Sequence, residues 1–172
     1  MNGYFIKEKI VKKILDIGCG KNKIPGALGL DIDRSANPEI LHDLNIYPYP
    51  IKDNEFDRIY AKHVIEHVND PVLFIQECYR ILKPGGTIFV ETPHFSSRVA
   101  YSEPDHKRFF SYFMFSNLLS KTKFRKAKQK ITFYKTFRFV GVCALANRFP
   151  DTYERFWTYI FPAENVILIA EK

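Results

Sequence analysis

Apolar residues fall along the chain in short blocks, and the spacing within each block predicts an element. Lys13 to Ile17 (KILDI) and Ala27 to Ile32 (ALGLDI) are β-type runs that end at glycine or acid, as buried parallel strands do. Between them stand only glycines, Lys21 to Ile24 and a Pro25-Gly26 turn, enough for about one helical turn, so the first crossover helix is predicted to be stunted. Glu39 to Leu44 (EILHDL) and Phe56 to Lys62 (FDRIYAK) predict a third and a fourth strand. From Asp70 to Lys83 the period changes: Val72, Ile75, Tyr79 and Leu82 recur at helical spacing, with Asp70 as N-cap and Pro71 as the first helical residue. Pro84-Gly85-Gly86 ends that helix, and Thr87 to Glu91 (TIFVE) predicts a fifth strand.

Past Pro93 the texture turns to Ser, His and aromatics. Ser111 to Leu119 predicts a helix, Ile131 to Val140 (ITFYKTFRFV) alternates as a half-buried sixth strand, Pro150 to Phe161 predicts a further helix, and Asn165 to Ala170 (NVILIA) a last strand. Strands separated by helices or loops argue for an open, mostly parallel α/β sheet with ligands at the carboxyl ends of its strands. With no internal repeat, 172 residues read as one domain, 1–92 forming a cofactor-binding half and 93–172 a substrate-side half.

Composition narrows the class. A chain that is 46% hydrophobic and 16% aromatic has ample core material, which excludes intrinsic disorder. No apolar run reaches the ~18 residues of a membrane span and no signal-type segment opens the chain, so a cytoplasmic protein is expected. Cys19, Cys78 and Cys143 are odd in number and lack metal-type spacing, and are expected to be free thiols. The net charge of +7 favours anionic partners. Most of the excess sits in Lys121 to Lys130 (KTKFRKAKQK), expected to be a solvated connection and, less favoured, a docking site for nucleic acid, glycan or lipid headgroups.

Chemistry gathers at predicted strand ends. In LDIGCG, Leu15 to Gly20, glycines allow backbone to approach a ligand closely. Asp31 ends the second strand, where a carboxylate accepts both hydrogen bonds of a ribose diol. At the end of the third, Asp43 can take an adenine amino proton while Leu44 covers the ring.

LDIGCG, GLDID, HDL, FDRIYAKHVIEHVNDP and LKPGGTIFVETPH, in this order from Ile14 to about His94, resemble the class I S-adenosylmethionine-dependent methyltransferases of the type 11 group. The resemblance implies a Rossmann-like α/β fold, a mostly parallel seven-stranded sheet whose last strand is antiparallel, with ITFYKTFRFV and NVILIAEK as its final hairpin. Carried onto this sequence, it implies that Asp16, Gly18, Cys19 and Gly20 surround the amino-acid end of the cofactor. Asp31 and Ile32 take the ribose, Asp43 and Leu44 the adenine, and Lys62 to Val64, His63 among them, lie beneath the sulfonium. A nicotinamide cofactor fits less well, since Lys23 stands where the dinucleotide fingerprint needs a third glycine. The stunted helix and short Met1 to Lys12 segment depart from the family, and a second copy of the chain would complete the cofactor lid.

The stretch Pro93 to Phe110 (PHFSSRVAYSEPDHKRFF) follows the fifth strand and overlies the place for a methyl acceptor. PHFSS and EPDHKRFF resemble a subgroup tied to surface-glycan pathways, which implies a small-molecule or glycan-type acceptor. His94 or His106 is the expected base, with Asp105 or Glu91 orienting it and Ser96 or Ser97 binding acceptor hydroxyls. His63-Val64-Ile65-Glu66-His67 also fits the inverted zinc-protease pattern H-x-x-E-H. That match is expected to be accidental and no metal is assigned, because a turn at Asn69-Asp70-Pro71 cuts short the helix such a site needs; the minor reading is an ion among His63, His67, His94 and His106. Two alternatives stand beside methyl transfer to a small acceptor: an RNA or protein methyltransferase using the basic run, and a non-catalytic cofactor-binding module.

Overall fold

The computed structural model describes residues 12–138 and 141–172. The Met1 to Lys12 segment, on which the expectation of a lid completed by a second copy rests, thus lies almost wholly outside the described residues.

Seven strands form one sheet in the order β3-β2-β1-β4-β5-β7-β6. The first half follows the hydrophobic pattern closely. β1 (Ile14–Ile17), β2 (Leu28–Asp31) and β4 (Phe56–Lys62) are short apolar runs, and β1 pairs in parallel with both others. β3 is only Ile40–Leu41, held parallel to β2 at the sheet edge. No helix forms between β1 and β2; the chain makes turns there, as its glycines and proline require. α1 (Pro71–Ile81) starts where predicted, with the Asp70 carboxylate accepting from the N–H groups of Val72 and Leu73. It buries Phe74, Ile75, Cys78 and Ile81 in the main core beside Leu15, Ile17, Ile59 and Val90. β5 (Leu82–Pro93) begins directly after α1, pairing Leu82 with Phe56 before Lys83 to Gly86 bulge out and pairing resumes at Thr87.

The second half departs from the expected elements. α2 (Arg98–Ser102) and α3 (Tyr112–Ser120) precede β6, which is Lys126–Ile131 rather than Ile131 to Val140. The basic run therefore supplies the strand, and the aromatic run bends into α4 (Lys135–Arg138). β7 (Asn165–Glu171) runs antiparallel to both β5 and β6, so the final hairpin is KAKQKI with NVILIAE. The physical reason is that an edge strand needs only one partner, and lysines on it block further pairing. At its end the Asn147 side chain pairs both with the N–H of Ile131 (2.8 Å) and with its carbonyl (2.8 Å), taking the place of another strand. Ile131 and Phe133 turn inward to a second, smaller core with Ala146, Tyr153 and Ala163. α5 (Val142–Arg148), α6 (Pro150–Thr152) and a π-helical turn (Tyr153–Trp157) replace the single helix expected over Pro150 to Phe161. Among the described residues no helix is long and apolar enough to cross a membrane, and all three cysteines are free.

Candidate active site

At the carboxyl ends of β1, β2 and β4 a crevice of about 310 Å³ opens, at the lower end of the range for small-molecule sites. Its lining brings together Gly18, Asp31, Ile32, Asp43, Leu44, His63 and Val64 of the expected cofactor set with Asp105 of the acceptor side, and adds Asn45, His67 and Val68. Asp16, Cys19 and Gly20 are not part of that lining.

Two of those three shape the loop. Asp16 Oδ2 accepts from the N–H of Ile24 at 2.8 Å, which ties the glycine turn back to β1, and burial raises its carboxyl above the usual range. Gly20 N–H donates to Asp31 Oδ2 at 2.8 Å. Cys19 packs inside, where burial raises its thiol. Gly18 is required on two counts: its φ is +62°, and a Cβ there would stand 2.3 Å from Val64 Cγ2. The loop is braced from the other side by Glu39, whose carboxylate bonds Lys23 and accepts from Gly29 N–H at 2.6 Å. Its carboxyl is held down to about 2, chiefly by the Lys23 ammonium.

The Asp31 carboxylate accepts from Gly20 on one oxygen and from Asp33 N–H (2.9 Å) on the other, leaving lone pairs on both. Asp43 Oδ1 accepts from the backbone and side-chain amides of Asn45, which leaves its second oxygen. His63 takes a left-handed φ of 53°, its N–H donating to the Glu91 carbonyl at 2.8 Å. The Glu66 carboxylate raises its imidazole pKa. Lys62 instead extends over the Phe89 ring.

The acceptor-side residues divide. His94 has no exposed surface, and its ring nitrogens are taken up by Ser96 Oγ (2.8 Å) and Glu154 Oε1 (3.0 Å). Glu154 also accepts from Tyr112 N–H at 2.6 Å, so this network clamps the π-helical turn onto the end of β5. Ser96 Oγ accepts from Ala163 N–H, Ser97 Oγ pairs with Tyr134 OH, and Glu91 accepts from Asn165 Nδ2. Glu91 thus joins the two halves, the others tie the stretch after β5 to the C-terminal segment, and none lines the crevice. Asp105 and His67 do, with Asp105 Oδ2 3.0 Å from His67 Nδ1. His106 stands next to them, its ring edge-on to His67 at 4.8 Å, with Nδ1 donating to the Ala100 carbonyl. His67, Asn45 and Val68 are lining residues that the motifs did not assign; HDLN and H-x-x-E-H were the signals available for the two polar ones.

Residues 15–90 match the family model described as a methyltransferase domain. The rat mitochondrial ubiquinone biosynthesis O-methyltransferase is 34% identical across 46% of this chain and 30% of that protein. The corresponding enzyme of Pseudomonas putida strain W619 is 30% identical across 47% of this chain and 44% of that protein. The chain thus spans less than half the length of these curated relatives. Among solved structures, an S-adenosylmethionine-dependent methyltransferase from Archaeoglobus fulgidus superposes with a TM-score of 0.69 at 20% identity, covering 95% of this chain and 87% of that one. A Haemonchus contortus phosphoethanolamine N-methyltransferase in complex with S-adenosylhomocysteine gives 0.61 at 18% identity, covering 93% and 48%. By its sheet order, its crevice at the strand ends and the match of residues 15–90 through β1 to β5, the chain has the fold of the S-adenosylmethionine-dependent methyltransferases and carries within it a segment similar to their methyltransferase domain.

Proposed function

We propose that this protein transfers the methyl group of S-adenosylmethionine to an oxygen of a small-molecule or glycan-type acceptor. The observation that carries this reading is the meeting of Gly18, Asp31, Asp43, Leu44 and His63 around one crevice. The residues fit the cofactor: Asp31 retains acceptor capacity on both oxygens for a ribose diol, and Asp43 retains one oxygen for an adenine amino group beside the apolar surface of Leu44. Gly18 leaves the floor open where any side chain would meet Val64.

S-adenosylmethionine supplies a methyl group on a good leaving group, so the protein's work is in-line positioning and, for a hydroxyl acceptor, proton removal. The acceptor oxygen forms the new C–O bond as the C–S bond breaks and its electron pair goes to sulfur. The proton passes to Asp105, the carboxylate at the crevice mouth, with His67 beside it. This assignment replaces His94 as base, since a buried ring with both nitrogens engaged has no atom to offer an acceptor. The ubiquinone-biosynthesis relatives support a small-molecule oxygen acceptor.

Calorimetric titration with S-adenosylmethionine and S-adenosylhomocysteine, with NAD as control, tests the reading. Saturable binding of the first two is expected, weakened by ~1–3 kcal/mol in Asp31→Ala, the range for losing a buried hydrogen-bond partner. Binding of NAD alone, or affinity unchanged in that variant, sinks it. Turnover with phenolic and glycan acceptors should then fall at least tenfold in Asp105→Asn.

A further inference from the structure

Beside the crevice, the loop from β4 to α1 holds polar atoms that cofactor binding leaves without work. Glu66 is 1% exposed. Its Oε2 accepts from Thr92 Oγ1 at 2.9 Å, whereas Oε1 is buried with no hydrogen-bond donor among the described residues. The nearest cationic nitrogen, His63 Nδ1, is 3.5 Å away, too long for a hydrogen bond of ordinary strength. His67 Nδ1 is also buried and makes no hydrogen bond among the described residues, with Asp105 Oδ2 3.0 Å from it as an ion-pair contact. His106 faces His67, and one donor atom from each of Glu66, His67 and His106 lies within 4.8 Å of the others.

Unpaired buried polar atoms are rare in folded proteins because nothing repays their lost hydration. Two of them in residues that meet a third possible ligand within 4.8 Å have a common explanation in a cation. The surroundings favour it. A carbonyl can only accept, so His106 donates from Nδ1 to Ala100, which makes Nε2 the ring nitrogen available to ligate an ion. Thr92 likewise fixes the far oxygen of Glu66. Such outer contacts are what orient metal ligands.

We propose that Glu66, His67 and His106 bind one divalent transition-metal ion of the zinc class at the wall of the crevice. Two imidazoles and a carboxylate suit zinc, iron or cobalt, whereas calcium and magnesium want oxygen alone. Metal–ligand bonds of about 2.0–2.2 Å set tetrahedral donors about 3.4 Å apart, so the side chains close in by about 1.4 Å on binding. Three protein ligands leave a coordination position open, and of the three His67 lines the crevice. The pattern H-x-x-E-H thus contributes Glu66 and His67, and its third ligand comes from beyond β5 instead of from His63. Resting on the methyl-transfer reading, one consequence follows for the substrate: a dipositive charge there selects acceptors with an ionisable oxygen, such as a phenol or enol.

The test uses the full chain after chelator treatment, titrated with Co²⁺ and followed by its visible d–d absorption, then with Zn²⁺ to displace it. Saturation at one equivalent is expected, with affinity reduced at least 30-fold in His106→Ala and in Glu66→Gln, and unchanged in Asp31→Ala. Thermal melts of each variant separate lost ligation from lost folding. No saturable uptake, or equal uptake by folded His106→Ala, overturns the proposal whatever the cofactor titration shows. Metal uptake without cofactor binding leaves this site standing and removes the methyl-transfer reading.

Discussion

The glycine loop with the ends of β1, β2 and β4 forms one region, and the segment from Phe133 to Ala163 another. The first rests on fully buried strands, Leu15, Ile17, Leu30 and Ile59 among them, inside the main core. Its loop and crevice residues are placed by backbone: a positive φ at Gly18, and main-chain donors onto Asp16 and Asp31. The second has a small core of its own and leaves large apolar side chains in water, with Phe156 67% and Tyr159 83% exposed. It is fastened to β5 chiefly through His94, Ser96 and Glu154. One region is positioned by the sheet and the other by a polar clamp, and this difference governs what each mutation breaks.

The largest expected effect is Gly18→Ala. A left-handed φ for alanine and a collision with Val64 together cost about 3–4 kcal/mol, and cofactor affinity falls at least 100-fold, read by thermal melts and calorimetry. Next, His94→Ala removes a buried ring and strips Glu154 of a charge-assisted bond, for about 3 kcal/mol. Hydrogen exchange should show protection lost between Phe133 and Ala163 and retained in β1, β2 and β4. Loss spread evenly over the chain would erase the distinction between the regions.

A smaller effect sharpens the first region. With its carboxyl held at about 2 against the usual 4.5, Glu39 stabilises the folded state at every pH above about 4.5, and that contribution drains away as pH falls toward 2. Glu39→Gln should flatten the stability–pH slope across that window in acid titration. The smallest effect belongs to the surface of the second region: Phe156→Ser should stay within about 0.5 kcal/mol, because the ring is mostly exposed already.

The elements of the first half were legible because local signals agreed with the fold. FDRIYAK is β4 to the residue, and Asp70-Pro71 opens α1 where a cap and a first-turn proline belong. In the second half they disagreed. ITFYKTFRFV has the alternation of a strand, yet β6 takes in only its first residue, whereas KAKQKI, with almost no apolar content, forms that strand. A strand at a sheet edge is chosen by a partner with open hydrogen bonds, here β7, and period-two hydrophobicity does not report that.

The same division holds for the site. Gly18, Asp31, Asp43 and Leu44 could be read from the chain because they sit at or just past the ends of β1, β2 and β3, and parallel strands bring their carboxyl ends to one edge of a sheet. The fates of the histidines could not. His94 and His106 lie in one loop-rich stretch of similar composition, yet one is sealed beneath the π-helical turn and the other comes to face His67. The sequence by itself determined the strand ends and their chemistry, because those depend on residues close along the chain. Only the tertiary structure decided which histidine meets the crevice and which run closes the sheet, because both depend on contacts between segments tens of residues apart, whose geometry no local period encodes.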